Sequence, residues 1–134
     1  MTLYVDSSAL LKRYVEEPDS AVADSFLAGA SALVTGRHTI VEVRRNLARL
    51  LSGRELAAAR SIFAADLEAL SLVELDAVTV EGAAAIAEAT GVRTLDALHL
   101  SAARRVGAQA VSVLTFDLRQ AQAARALGLS VVGS

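Results

Sequence analysis

Short aliphatic runs alternate with helical patterns along the whole chain, and this alternation restricts the fold more than any other feature. Thr2 to Asp6 (TLYVD), Ala32 to Thr35 (ALVT), Ser71 to Leu75 (SLVEL), Ala110 to Leu114 (AVSVL) and Ser130 to Val132 read as strands. Helical spacing through Leu10, Leu11 and Tyr14 follows the first strand. Pro18 then ends it, and Asp19 or Ser20 caps a second helix running to about Ala28. Ile40, Val43, Leu47 and Leu50 form an apolar stripe that must pack on something. Gly53 interrupts that helix, and another spans about Glu55 to Leu70. Three more cover Val80 to Thr90, Leu95 to Val106 and Asp117 to Leu127, closed by Gly91, Gly107 and Gly128. Strands that alternate with helices in this way predict an α/β fold with a central parallel sheet of about five short strands, covered on both faces. No linker, repeat or low-complexity stretch divides residues 1–134, so a single three-layer domain is expected.

Hydrophobic residues make up 54% of the chain but aromatics only 4%, so the core must be Leu, Val and Ile packed against alanine-rich helices. The absence of cysteine removes disulfides and thiolate metal sites. The first apolar run contains Asp6 and lacks a basic leader, and no run approaches the roughly 20 apolar residues of a membrane span. A cytoplasmic protein with no membrane association is expected. The formal charge is −2, yet four of the fifteen acids are argued below to bind metal. Without them, thirteen basic residues face eleven acidic ones. Twelve of the thirteen are arginine, whose planar fork suits phosphate, although genome composition also produces arginine bias.

In open α/β sheets, sites form beyond the carboxyl ends of the strands. Asp6 ends the first strand, Glu42 lies in the first turn after the second, Asp96 opens the helix leading into the fourth, and Asp117 follows the fourth directly. Singly, most have a structural explanation. Thr39-x-x-Glu42 matches a capping box, and Asp96 and Asp117 suit helix N-termini. Asp6 shows no evident cap role, and a carboxylate closing a buried strand needs a partner. Together, four carboxylates on one edge repel unless a cation sits among them. Lys12, the only lysine, lies in the first helix and is not placed to do this. All-oxygen ligation favours Mg²⁺, or Mn²⁺, over zinc. Such a centre supports phosphodiester hydrolysis.

Asp6-Ser7-Ser8-Ala9-Leu10, Thr39-Ile40-Val41-Glu42-Val43, Leu95-Asp96-Ala97-Leu98-His99-Leu100 and Thr115-Phe116-Asp117 together resemble the four motifs of PIN-domain ribonucleases. In length and order the whole chain is similar to the VapC toxins of type II toxin–antitoxin pairs. The resemblance implies a PIN-like fold and a metal-dependent endoribonuclease. Asp6, Asp96 and Asp117 would hold the metal, and Glu42 would complete the site and orient or deprotonate the attacking water. Ser8 and Thr115 would support the carboxylates by hydrogen bonding. It further implies cleavage of structured RNA such as tRNA or rRNA, leaving a 3′-hydroxyl and a 5′-phosphate. The implied partners are a second copy of the chain and a small VapB-type antitoxin, whose tail covers the site and whose other end binds DNA.

Arg45 and Arg49 project from the same side of their helix as Glu42. They either contact RNA phosphates or form a solvated face with an Arg45–Glu42 pair. Arg13, Arg37 and Arg93 lie near the motif loops and carry the same two readings. His99, one turn after Asp96, reads as a helix histidine packed for structure, and His38, beside the Thr39 cap, is expected to be exposed. Tyr4, Tyr14, Phe26 and Phe63 sit in apolar patterns and read as core or interface. Leu10, Leu11, Val22 and Leu47 are candidates for a surface that binds a peptide or another protomer.

Three other functions compete. A phosphoacceptor receiver domain normally needs paired acids after the first strand, where Ser7 and Ser8 stand, and a lysine after the last. A non-catalytic RNA-binding or scaffold domain would usually have lost an acid. A metal-dependent DNase shares every ligand, because metal-site chemistry does not see the 2′-hydroxyl.

Overall fold

The computed structural model describes all 134 residues and interleaves five strands with seven helices. β1 (Thr2–Val5) leads into α1 (Ser7–Leu11) and α2 (Ser20–Gly29), and β2 (Ala32–Gly36) into α3 (Thr39–Leu50) and α4 (Gly53–Ala69). β3 (Ser71–Val73) is followed by α5 (Ala77–Thr90) and α6 (Thr94–Val106). β4 (Val111–Leu114), α7 (Leu118–Ala126) and β5 (Ser130–Val132) complete the chain. All pairings are parallel, in the order β3-β2-β1-β4-β5. This is the expected α/β architecture; four strands fall within the runs read as strands, and β2 extends one residue further, to Gly36.

The order places β1 at the centre, with β2 and β4 on either side. The chain leaves β1 toward β2 and later returns to β4, so the direction of winding changes between β1 and β4. A crevice opens at the carboxyl ends of the strands at such a switch point. Asp6 follows β1 there, and its N–H bonds the Leu114 carbonyl at the end of β4 (3.3 Å).

Side chains alternate across the sheet and divide the core in two. Leu3 and Val5 join α1 to α4 through Leu10, Val43, Leu47 and Phe63. Tyr4 joins α5, α6 and α7 through Ile86, Leu100 and Ala124 on the opposite face. The alanine content has its use on this second face, where Ala83, Ala97, Ala102 and Ala103 let α5 and α6 approach. A Cβ at Gly82 would lie 2.7 Å from Ser101 Oγ, which donates to the Thr79 carbonyl at 2.6 Å. Gly91 closes α5 in the left-handed conformation (φ 74°), as its position predicted.

Several local expectations change. α1 stops at Leu11, and the pattern to Tyr14 continues as tighter turns, with Arg13 and Tyr14 N–H bonding Leu10 and Leu11 carbonyls at 3.1 and 2.9 Å. Leu10, Leu11 and Leu47 are buried in the core and cannot receive a partner, whereas Val22 is exposed. Tyr4 and Phe63 are core residues, and Tyr14 and Phe26 pack against the core as expected. No helix is long and apolar enough to cross a membrane.

Leu100→Ala, at a fully buried position, should cost about 3 kcal/mol in urea unfolding. Leu118→Ala, at a position 69% exposed, should stay within about 0.5 kcal/mol.

Candidate active site

All four acids line one cavity of about 310 Å³, together with Ser7, Ser8, Asn46 and His99 and no lysine or arginine. Asp6 is buried, as expected, but it does have a cap role: it is the N-cap of α1. Its Oδ1 accepts from Ala9 N–H (2.8 Å) and from Ser8 Oγ (2.9 Å), leaving Oδ2 without a protein partner. Asp117 is the N-cap of α7, as its position allowed, with Oδ1 accepting from Arg119 and Gln120 N–H at 2.8 and 3.3 Å. Thr115 is buried and accepts from the Asp117 N–H at 3.2 Å, so it steadies the backbone of that residue rather than its carboxylate.

Thr39-x-x-Glu42 does not form a capping box. Thr39 is the first residue of α3, and its hydroxyl pairs with Thr35 Oγ1 at 2.6 Å. Glu42 is therefore released from the backbone and meets His99 Nε2 at 2.8 Å. Burial opposes ionisation of Glu42, but the His99 bond, aided by Ser7 and His38, outweighs it and holds the pKa below the usual value. With Glu42 ionised, His99 must donate from Nε2. Its Nδ1 shares a hydrogen bond with the Tyr4 hydroxyl (2.7 Å), whose oxygen also accepts from Gly36 N–H (2.9 Å). This chain of bonds orients one Glu42 oxygen.

Asp96 sits in the first turn of α6 and does not cap it; Arg93 holds the N-cap position with no side-chain bond. Burial, then the negative charge of Asp117, Asp6 and Glu42, raises the Asp96 pKa against a smaller lowering from His99. This is the repulsion anticipated from four converging carboxylates. The nearest lysine by sequence, Lys12, is engaged with Glu17 and Asp19 at 3.7 and 3.8 Å.

His38 is buried, not exposed, and neither ring nitrogen has a hydrogen-bond partner. Desolvation, then the neighbouring His99, pulls its pKa to about 4. The reason for its burial is Gly36, whose bare Cα admits the ring: a Cβ there would lie 2.5 and 2.6 Å from His38 Cε1 and Nδ1.

The family profile of the PIN domain matches residues 3–126. The chain belongs to the PIN-domain family. Among its relatives, Ribonuclease VapC46 of Mycobacterium tuberculosis is 32% identical over 130 residues, covering 97% of this chain and 95% of that one. Ribonuclease VapC35 of the same species is 35% identical over 134 residues, with the same coverage. Among solved structures, M. tuberculosis VapC20 superposes with a TM-score of 0.75 at 20% identity, covering 90% of this chain and 94% of that one. FitAcB from Neisseria gonorrhoeae gives 0.72 at 17%, covering 98% and 96%. Within the PIN-domain family the chain is a VapC-type ribonuclease.

The five arginines singled out as candidate phosphate contacts part company. Arg13 is fixed to Asp66 through Nε and Nη2 at 2.7 and 3.2 Å, and Arg37 to Glu74 at 2.6 Å. Arg45 makes no pair with Glu42, and Arg49 donates to Asn46 Oδ1 at 3.1 Å. Arg93 alone lines a space beside the acids: a second cavity of about 620 Å³ that shares Asp96 and Asp117 with the first. Arg119 lines it too and was not singled out, although its position two residues after Asp117 was the available signal. Asn46 was missed as well; it stands one turn after Glu42 and lines the acid cavity.

Because the folded pKa of Asp96 is raised, the fold binds this proton more tightly than the unfolded chain does. That contribution to stability is present at low pH and disappears as pH rises through the folded pKa. Asp96→Asn should therefore make the metal-free chain more stable than wild type at pH 7, and thermal melts should show the difference closing as Asp96 protonates in acid.

Proposed function

We propose that the chain is the toxin of a toxin–antitoxin pair: a cytoplasmic, Mg²⁺-dependent endoribonuclease that cuts a phosphodiester bond in structured RNA such as tRNA or rRNA. Mn²⁺ would substitute, and a small VapB-type antitoxin would hold the enzyme inactive. The observation that carries this reading is the convergence of Asp6, Glu42, Asp96 and Asp117 on one cavity that holds no basic side chain. An oxygen-only acid set with one member's pKa raised by its neighbours fits a hard divalent cation. Asp6, Asp96 and Asp117 would hold the ion and Glu42 would complete the set. When bound, Mg²⁺ offsets the negative charge that develops on the phosphate oxygens.

The chain's own residues supply the rest. The ionised Glu42, with one oxygen held by His99, is able to orient a water and accept its proton. Ser8 and the Ala9 N–H hold Asp6 so that one oxygen stays turned from the backbone. Arg93 and Arg119, free of carboxylate partners, flank Asp96 and Asp117 and would take phosphates of the strand next to the cut. Toxin–antitoxin complexes and a sarcin–ricin-loop-cleaving toxin are among the solved structures of this fold. Exposed Val41 and Leu118, each beside a site acid, offer apolar surface for an antitoxin or a second protomer.

The first test is incubation of the purified chain with total RNA, with Mg²⁺, Mn²⁺ or EDTA. Discrete fragments ending in a 5′-phosphate are expected only with metal, and Asp6→Asn should lower the rate about 100-fold or more. Metal-dependent cutting of matched DNA at an equal rate would move the reading to a DNase. Metal-independent inertness of the folded, antitoxin-free chain would move it to a scaffold. For the groove, Arg93→Gln and Arg119→Gln should each weaken RNA binding and reduce its salt slope by about one, measured on a carboxylate variant that does not cleave.

A further inference from the structure

We propose that His38, Glu42 and His99 form a second cation site, for an ion of the zinc class, adjoining the carboxylate cavity. The potential ligand atoms of the three residues all lie within 4.8 Å of one another. His99 Nε2 stands 2.8 Å and His38 Nε2 3.7 Å from the same Glu42 oxygen. A tetrahedral ion with bonds of 2.0–2.1 Å needs ligand atoms about 3.3 Å apart, and these two separations bracket that value.

The second observation is independent of the cluster's composition. His38 is 8% exposed, yet both of its ring nitrogens lack a partner. The Leu95 carbonyl is near enough to favour the protonated ring, but no hydrogen bond forms. A buried polar ring without partners is costly, and the chain does not let it escape. Gly36 gives up its side chain to the ring, which brings Nδ1 and Cε1 against that Cα and leaves Nε2 toward Glu42. The two imidazoles lie 4.1 Å apart, tilted by 40°, and both present Nε2 to the same Glu42 oxygen.

The chemistry separates this site from the neighbouring one. Two imidazole nitrogens and one carboxylate suit Zn²⁺, Co²⁺ or Ni²⁺, whereas the oxygen-only set suits Mg²⁺. Ligation requires the neutral tautomer of His99 with its proton on Nδ1, donated to the Tyr4 oxygen, and the Tyr4 hydroxyl then turns its own hydrogen away from the ring. Tyr4 then orients a ligating histidine through its second nitrogen, as outer partners of metal-bound histidines do. Glu42 belongs to both sets, so filling this site withdraws a carboxylate from the Mg²⁺ centre and inhibits it. The ligands are in place whether or not the carboxylate centre cuts RNA.

Co²⁺ added to the metal-free full-length chain is the test, because tetrahedral Co²⁺ has strong visible absorption. One equivalent should develop that spectrum, and Zn²⁺ should displace it. His38→Phe, which keeps a ring without nitrogens, and His38→Ala should both weaken Co²⁺ binding about 100-fold or more. Both should retain Mn²⁺ binding at the carboxylates by electron paramagnetic resonance, which also reports that they are folded. Absence of a tetrahedral spectrum in wild type, or an unchanged spectrum in the two variants, overturns the site. A normal Co²⁺ spectrum from a chain that never cleaves RNA supports the site and sinks only the nuclease reading.

Discussion

Four carboxylates can share one sheet edge because three of them are held by a single oxygen. Asp6 and Asp117 each give one oxygen to N–H groups at the start of a helix, and Glu42 gives one to His99. Against burial, the His99 bond holds the Glu42 pKa down, whereas Asp96, whose side chain has no such support, has its pKa raised by burial and by the neighbouring charges. The tethers also leave oxygens for a cation, so the same bonds that make the cluster tolerable make it a ligand set. The sheet order is what brings the tethers together, since β1 and β4 are neighbours and the chain turns at their ends into α1 and α7.

Tyr4 ties this edge to the second layer. Its ring lies in the core with α5, α6 and α7, while its hydroxyl bridges Gly36 on β2 and His99 on α6. Burial holds the phenol far above its usual pKa, so the bridge stays neutral and directional. The position of Glu42 thus depends on a residue on the central strand, two bonds away from the acid itself. Through this relay the core and the site share a residue, and repacking around Tyr4 would be felt in the cavity.

Much of this was legible in the sequence, and the parts that were not share a physical reason. Strand runs, helix-closing glycines and the four acids are encoded within a few residues of themselves, and each was read close to its place. Thr39-x-x-Glu42 satisfies a local capping rule, yet the tertiary partners Thr35 and His99 claim both side chains. Arg13 and Arg37 look like free cations beside motif loops until Asp66 and Glu74, far along the chain, fold against them. His38 resembles a loop residue because nothing nearby says that Gly36 has made room for its ring. Local rules fail here where a distant partner competes for the same side chain. Arg93 and Arg119 are identified by lacking such a competitor and by lining the space beside Asp96 and Asp117, which only the fold reveals.

Two cation sets that share Glu42 cannot fill independently. An ion held by His38, Glu42 and His99 neutralises a carboxylate that the oxygen set needs and places like charge beside the other ion. Each occupancy therefore weakens the other, and by linkage the two weaken each other by the same factor. The donor atoms decide which ion wins at each set: nitrogen favours the zinc class, and oxygen alone favours Mg²⁺. The tautomer of His99 is the microscopic record of that choice, donating to Glu42 when the proton is on Nε2 and able to ligate when it is on Nδ1. Activity would then follow the ratio of the two ion classes rather than the concentration of Mg²⁺ alone, with Tyr4 accommodating either state through a rotation of its hydroxyl.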